Sequence, residues 1–228
     1  MHTTERHRFY PMASRVTVLA HFFGVMAIIL MFVWLLHYRG GIDLDSDSSD
    51  RVFSMYTHFS CSLGLYLWLE KHLPQLTTIM GYRMVPAERK IQKLFHMVMH
   101  LIAISLGIVG IYAAFKYHDK VGLTDMYSLH SWIGLGTFIF FGLQWLFGFF
   151  TFWLPQSSVA TRETMLPWHI FSGRALLYMS ICAALTGLMQ KATFMQLQHG
   201  NESRLMNFTG LFTLLFGLAV DLSLSLAF

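Results

Sequence analysis

Histidine is the residue through which this chain can do chemistry. Of twelve histidines, His96, His130 and His169, each near the end of a long apolar run, are the ordered ones. The run that follows His130, Ser131 to Trp153, holds no charged residue at all. An ionisable group at membrane depth is costly to keep there and needs a partner, so each of the three is a functional candidate. Read at spacings of three and four, each heads a stripe of small side chains. From His96 the face runs His100, Ala103, Gly107, Gly110; from His130 it runs Gly134, Thr137, Phe141, Gln144, Gly148; from His169 it runs Gly173, Leu176, Ser180, Ala183, Gly187. Small residues let helices approach closely, and they also leave room for a flat macrocycle. Plain helix packing accounts for any one stripe. Three stripes with histidines at two depths favour ligation.

Neutral imidazole is a ligand for iron and for zinc. Zinc takes four ligands at one point, often with Cys or a carboxylate among them. Here the histidines fall at two separate levels with no acid beside them. Haem iron held by axial side chains from facing helices suits that distribution better. A helix from 96 to 117 spans about 30 Å, so haems set one turn in from each end lie roughly 20 Å apart. Two imidazoles leave iron no open position, so the arrangement predicts electron transfer across a membrane rather than binding of a gas.

The elements that must position these groups are membrane-spanning helices. The chain of 228 residues is 55% hydrophobic and 12% charged, against about 25% charged for a soluble domain. Apolar runs long enough to cross cover about 16–36, 91–117, 127–153, 169–189 and 205–228. A weaker run at 52–69 is broken by Glu70, Lys71, His72 and Pro74, and with the short apolar piece at 76–82 it is read as one further crossing. Pro155 and Pro167 read as stop and start signals around the loop before the run at 169–189. With six crossings, one side holds nine basic residues against four acidic and the other six against seven. The positive-inside rule makes the first side cytoplasmic and puts both termini there. The net charge of +4 comes from residues at segment ends rather than a patch, so nucleic acid is not an expected partner. Cys61 and Cys182 lie in apolar runs and form neither a disulfide framework nor a CxxC metal motif. The N-terminus lacks the apolar core of a signal peptide, so the first run is expected to stay as an anchor. His21 and His37, near the ends of that run, read as interfacial polar residues.

Four stretches are specific enough to carry a resemblance: YSLHSWIGLG at 127–136, LPWHIFSG at 166–173, KLFHMVMHLIAISLGIVGIYAAFKYH at 93–118 and VWLLHYRGGI at 33–42. They closely resemble the cytochrome b561 family, its plant members most. The resemblance implies an all-α, polytopic membrane protein. It implies a six-helix transmembrane bundle with a four-helix haem-binding core at about 52–190, in a single domain over residues 1–228. It implies two haem b groups that pass electrons from cytoplasmic ascorbate to monodehydroascorbate or a ferric chelate on the opposite side. His96 and His169 are carried over as ligands of the cytoplasmic haem, with His100 as a pocket neighbour, and His130 as a ligand of the other haem. Arg83, Lys90, Lys93 and Arg162 fall where the family binds ascorbate; the ascorbate monoanion suits a basic cluster at a helix N-terminus. His118, Tyr127 and Ser128 fall beside the opposite haem. Gln190 and Lys191 stand where the family often has Glu-Lys. The fourth ligand departs from the pattern. Counting back from Tyr82–Arg83 lands on Ser62 or Leu63, and the nearby histidine is His58. The rival expectation is a membrane scaffold or partly degenerate homologue with one haem or none. A proton-coupled transporter is disfavoured, because the helices that carry the ligands contain no mid-membrane acid. Membrane lipid and a second copy of the chain are further expected partners, in a vacuolar or other endomembrane or in the plasma membrane.

Overall fold

A computed structural model describes residues 2–38 and 89–227. Five helices follow in chain order: α1 (His2–Val33), α2 (Arg89–Val121), α3 (Leu129–Gly148), α4 (Val159–Phe194) and α5 (Asn201–Ala227). α1 and α3 each finish in a π-helical turn, Trp34–Tyr38 and Phe149–Trp153. No strand occurs among the described residues. Among the described residues five segments are long and apolar enough to cross a membrane: Arg15–Tyr38, Lys93–Val121, Leu129–Trp153, Val159–Phe194 and Asn201–Leu226. Large apolar side chains such as Phe22, Ile108, Phe140, Phe171 and Leu218 stay exposed, which is the expected outer surface of a bundle solvated by lipid. Over its described residues the chain is all-helical, and its several apolar helices make it a multi-pass membrane protein.

The helix ends follow local chemistry. Ser128 caps α3 by accepting the Ser131 N–H at 3.2 Å, and Ser158 caps α4 by accepting that of Thr161 at 3.1 Å. Both serines satisfy a donor that the first turn leaves free. Leu154 is extended just ahead of Pro155, as the residue before proline prefers. Pro167 corrects the reading of it as a helix start. α4 already begins at Val159, and Pro167 and His169 lie inside it. Proline removes one helical bond but is tolerated within membrane helices, and the start is set by the Ser158 cap. α2 likewise runs on through His118 to Val121.

The short connections make α2, α3 and α4 antiparallel neighbours. Trp145 of α3 donates its indole N–H to the Met97 carbonyl of α2 at 3.1 Å. α5 and α1 form a second antiparallel pair against the outer face of α4. Gly24 lets Phe216 in, and Gly217 lets Ile181 in, each where a Cβ would collide. Ala20, Leu177, Ile181, Phe216 and Val220 close the core between these three helices. Thr17 and Ser223 share a buried hydroxyl bond of 2.7 Å at one end, and Trp34 donates to Glu202 at 2.9 Å at the other.

Asp221, the acid inside the last helix, pairs with Arg174 of α4, whose guanidinium also reaches Ser225 at 3.0 Å. Opposite charges from adjacent helices neutralise each other where neither could stand alone. Arg174→Met and Asp221→Leu are each expected to lower the thermal midpoint in detergent micelles. The double variant recovers most of the loss, giving a coupling of about 1 kcal/mol. Strictly additive losses in that cycle would contradict the pairing.

Candidate functional site

Two of the histidine stripes face each other across the α3–α4 interface in opposite directions. His130, at the start of α3, points its Nδ1 at the Ala183 carbonyl of α4, 2.9 Å away. It sits on Gly187, where an added Cβ would lie 2.8 Å from the ring. His169 of α4 makes the reciprocal contacts. Its Nδ1 lies 2.9 Å from Gln144 Nε2 on α3, and it sits on Gly148, where a Cβ would be 3.2 Å from the ring. A Cβ would collide with the ring at Gly187 and press on it, within a few tenths of an ångström of ordinary contact, at Gly148. Each imidazole therefore has one ring nitrogen engaged across the interface. For His130 the partner is a carbonyl, so Nδ1 carries the proton and Nε2 keeps its lone pair for a ligand role. Along either helix the two imidazole levels are separated by about 21–27 Å at the helical rise.

His96 of α2 joins His169. Their ring centroids are 6.3 Å apart, and His100, buried on the next turn, lies 4.6 Å from His96 and 5.1 Å from Phe141. A metal–imidazole bond of about 2 Å on each side places two axial rings at about this separation, so the His96–His169 pair fits one iron between them. Among the described residues no three His, Cys, Asp or Glu side chains converge to hold a metal ion.

The π-helical turn serves this pocket. Phe147 and Phe152, five residues apart, lie 6.2 and 5.2 Å from the His169 ring. An α-helix turns residues at that spacing away from each other, whereas a π turn brings them together. Trp145 stacks on Phe149 at 5.5 Å on the neighbouring face.

The remaining expected residues divide between the two ends. Lys90 and Lys93 are exposed on the first turns of α2, and Arg162 lies on the first turn of α4, where it donates to the Leu154 carbonyl at 3.1 Å. The end that holds His96 and His169 is thus the basic end. At the other end Ser128 bonds Gln190 at 2.9 Å, and Gln190 reaches the Tyr127 hydroxyl at 3.4 Å, so these three expected residues do meet. His118 bonds Asp125 at 2.8 Å in the adjoining loop. His58 and Arg83 lie outside the described residues. His21 is engaged by the Thr17 carbonyl of its own helix at 2.9 Å, as suits an ordinary polar residue. Gln144, Phe147 and Phe152 were not singled out from sequence. Gln144 did lie on the His130 stripe, where an amide in a charge-free run was the available signal.

A helical membrane bundle with facing imidazoles at two levels is the frame of a haem-carrying electron-transfer protein. The model of the eukaryotic cytochrome b561 family matches residues 71–195. A rice protein named probable ascorbate-specific transmembrane electron transporter 1 is 37% identical over 91% of this chain and 88% of its own length. Transmembrane ascorbate ferrireductase 1 of Arabidopsis thaliana is 35% identical over 93% and 88%. The human transmembrane ascorbate-dependent reductase is 34% identical over 75% and 64%. The chain belongs to the cytochrome b561 family.

The two glycines predict an order of effects. Gly187→Ala must displace His130, whereas Gly148→Ala asks His169 to give by only a few tenths of an ångström. Overpacking of the first kind costs about 1–3 kcal/mol. Thermal unfolding in detergent should show the larger loss for Gly187→Ala; equal tolerance of both variants would contradict the close contact.

Proposed function

We propose that this protein is an ascorbate-dependent transmembrane oxidoreductase that carries single electrons through two haem b groups. The acceptor is monodehydroascorbate or a ferric chelate on the far side. The observation that carries the reading is the pairing of His96 with His169 at the basic end, with His130 held at a second level on the same helix pair. Haem b, when bound, supplies reversible one-electron chemistry at iron. His96 and His169 would hold the group at the basic end. His130 would hold the other, with His58 the candidate for its second ligand.

The chain's own residues do the rest. Lys90, Lys93, Arg162 and Arg83 draw the ascorbate monoanion to the basic end, which loop charge assigns to the cytoplasm. Phe147 and Phe152 wall the His169 pocket against water. His100, beside His96, is placed to take the proton that ascorbate gives up on oxidation. At the far end His118, Tyr127, Ser128 and Gln190 form a polar rim where the acceptor approaches.

We read the chain as one domain of six crossings, core about 52–190, with both termini cytoplasmic in an endomembrane or the plasma membrane. The direction of the helices supports the sixth crossing. α1 ends beside Glu202 at the His130 end, and α2 begins at the basic end.

Purified protein reduced by ascorbate should show a bis-imidazole haem spectrum with two haems per chain. His169→Leu should lose one haem and the fast ascorbate-driven phase together; retention of both haems and of that phase would refute the assignment. Lys93→Ala should raise the KM for ascorbate about threefold to tenfold in low salt and progressively less as ionic strength screens the site. A KM unchanged in low salt would remove Lys93 from the donor site.

A further inference from the structure

One turn beyond the glycine that seats His130, α4 carries Gln190, which meets the first turn of α3. The direction of each hydrogen bond there follows from donors that have one place to go. The Ser131 backbone N–H donates to Ser128 Oγ at 3.2 Å, as the cap of α3 requires. Among the described residues the Ser131 hydroxyl meets Ser128 Oγ, 2.9 Å away, and no other partner, so its proton goes there as well. Ser128 Oγ then has both lone pairs filled and one proton left. It gives that proton to Gln190 Oε1 at 2.9 Å. The amide nitrogen is thereby turned the other way and donates to the Tyr127 hydroxyl oxygen at 3.4 Å. Tyr127, 52% exposed, accepts from within and keeps its own proton for a partner outside.

Resting on the reading that electrons leave the protein at this end, we propose that Gln190 is a positioning residue that fixes Tyr127 as an outward hydrogen-bond donor and so selects an anionic acceptor. Ser131, Ser128, Gln190 and Tyr127 form one chain of donors, each polarised by the one before it, and its open end is a proton-bearing phenol. Such an end suits an anionic oxygen, because hydrogen bonds to a charged acceptor are the strong ones. The amide adds no charge of its own. An ionised carboxylate at the same place would reverse the last link, since it can only accept and would draw the Tyr127 proton inward. It would also set a negative charge against the incoming anion. The acid that precedes Tyr127 in the loop, Asp125, is engaged by His118 at 2.8 Å, and a cation, Lys191, follows Gln190 directly.

The test uses the purified, haem-loaded full chain in vesicles filled with ascorbate, with an acceptor that cannot cross added outside. Ferric EDTA serves as the anion, and hexaammineruthenium(III) as a cation without acceptor atoms. Wild-type vesicles that reduce neither would refute the reading of this end as the exit and not merely this inference. Haem content, and its reduction by ascorbate before any acceptor is added, report that each variant is folded. Gln190→Glu, which keeps the shape of the side chain, should raise the KM for ferric EDTA about tenfold. Its KM for hexaammineruthenium should fall or stay as it was. Tyr127→Phe should raise the ferric EDTA KM about threefold to tenfold, in KM and not in kcat, and leave hexaammineruthenium unmoved. In high salt, where the added charge is screened, Gln190→Glu should retain a loss equal to that of Tyr127→Phe. The double variant should then be no worse than either single one, because both remove the same outward proton. Equal KM shifts for the two acceptors, an unchanged ferric EDTA KM in either variant, or additive losses in high salt would overturn the role of Gln190.

Discussion

The structure depends on one close contact made twice: an imidazole of one helix seated on a glycine of its neighbour. Gly187 beneath His130 and Gly148 beneath His169 let α3 and α4 approach until each ring nitrogen meets a partner across the interface. No larger residue serves at Gly187, because a Cβ there would occupy the ring's space. The hydrophobic effect cannot draw helices together in lipid, so association falls to tight packing and to hydrogen bonds of this kind. The same contacts also immobilise the two imidazoles, which removes ring rotation that ligation would otherwise have to freeze out.

Everything else braces that pair. α2 brings His96 to within 6.3 Å of His169, tied to α3 by Trp145. The π turn after Gly148 rotates Phe152 on to the same ring as Phe147. On the opposite face of α4, the α1–α5 pair packs through Gly217, Phe216 and Val220 and is charge-locked by Arg174–Asp221. That ion pair neutralises the acid within the last helix.

Much of this was legible before any coordinates. The stripes from His130 and His169 do face each other, because the 3.6-residue period decides which side chains share a face whatever the partner. Tyr127, Ser128 and Gln190 were expected from the family resemblance, and the structure brings the three together where helix ends meet. The misreadings have physical causes. Pro167 was taken as a start because proline is safest in a first turn, yet a membrane helix absorbs it and Ser158 supplies the cap. Phe152 was invisible because five-residue spacing means opposite faces unless a π turn intervenes, and nothing in FFTFW announces one. Gln144 with His169, and Arg174 with Asp221, join helices whose relative rotation no single-helix pattern encodes. His58 and Arg83 lie outside the described residues and stay as proposals.

The central claim is that iron sits between His96 and His169. The most direct measurement is a diffraction experiment on the haem-loaded protein with data collected on both sides of the iron absorption edge. The account predicts an anomalous peak midway between the two imidazoles at the basic end, with Gln144 against the Nδ1 of His169. Two rings in direct contact with no iron between them, or iron bound at that end by other side chains, would contradict it.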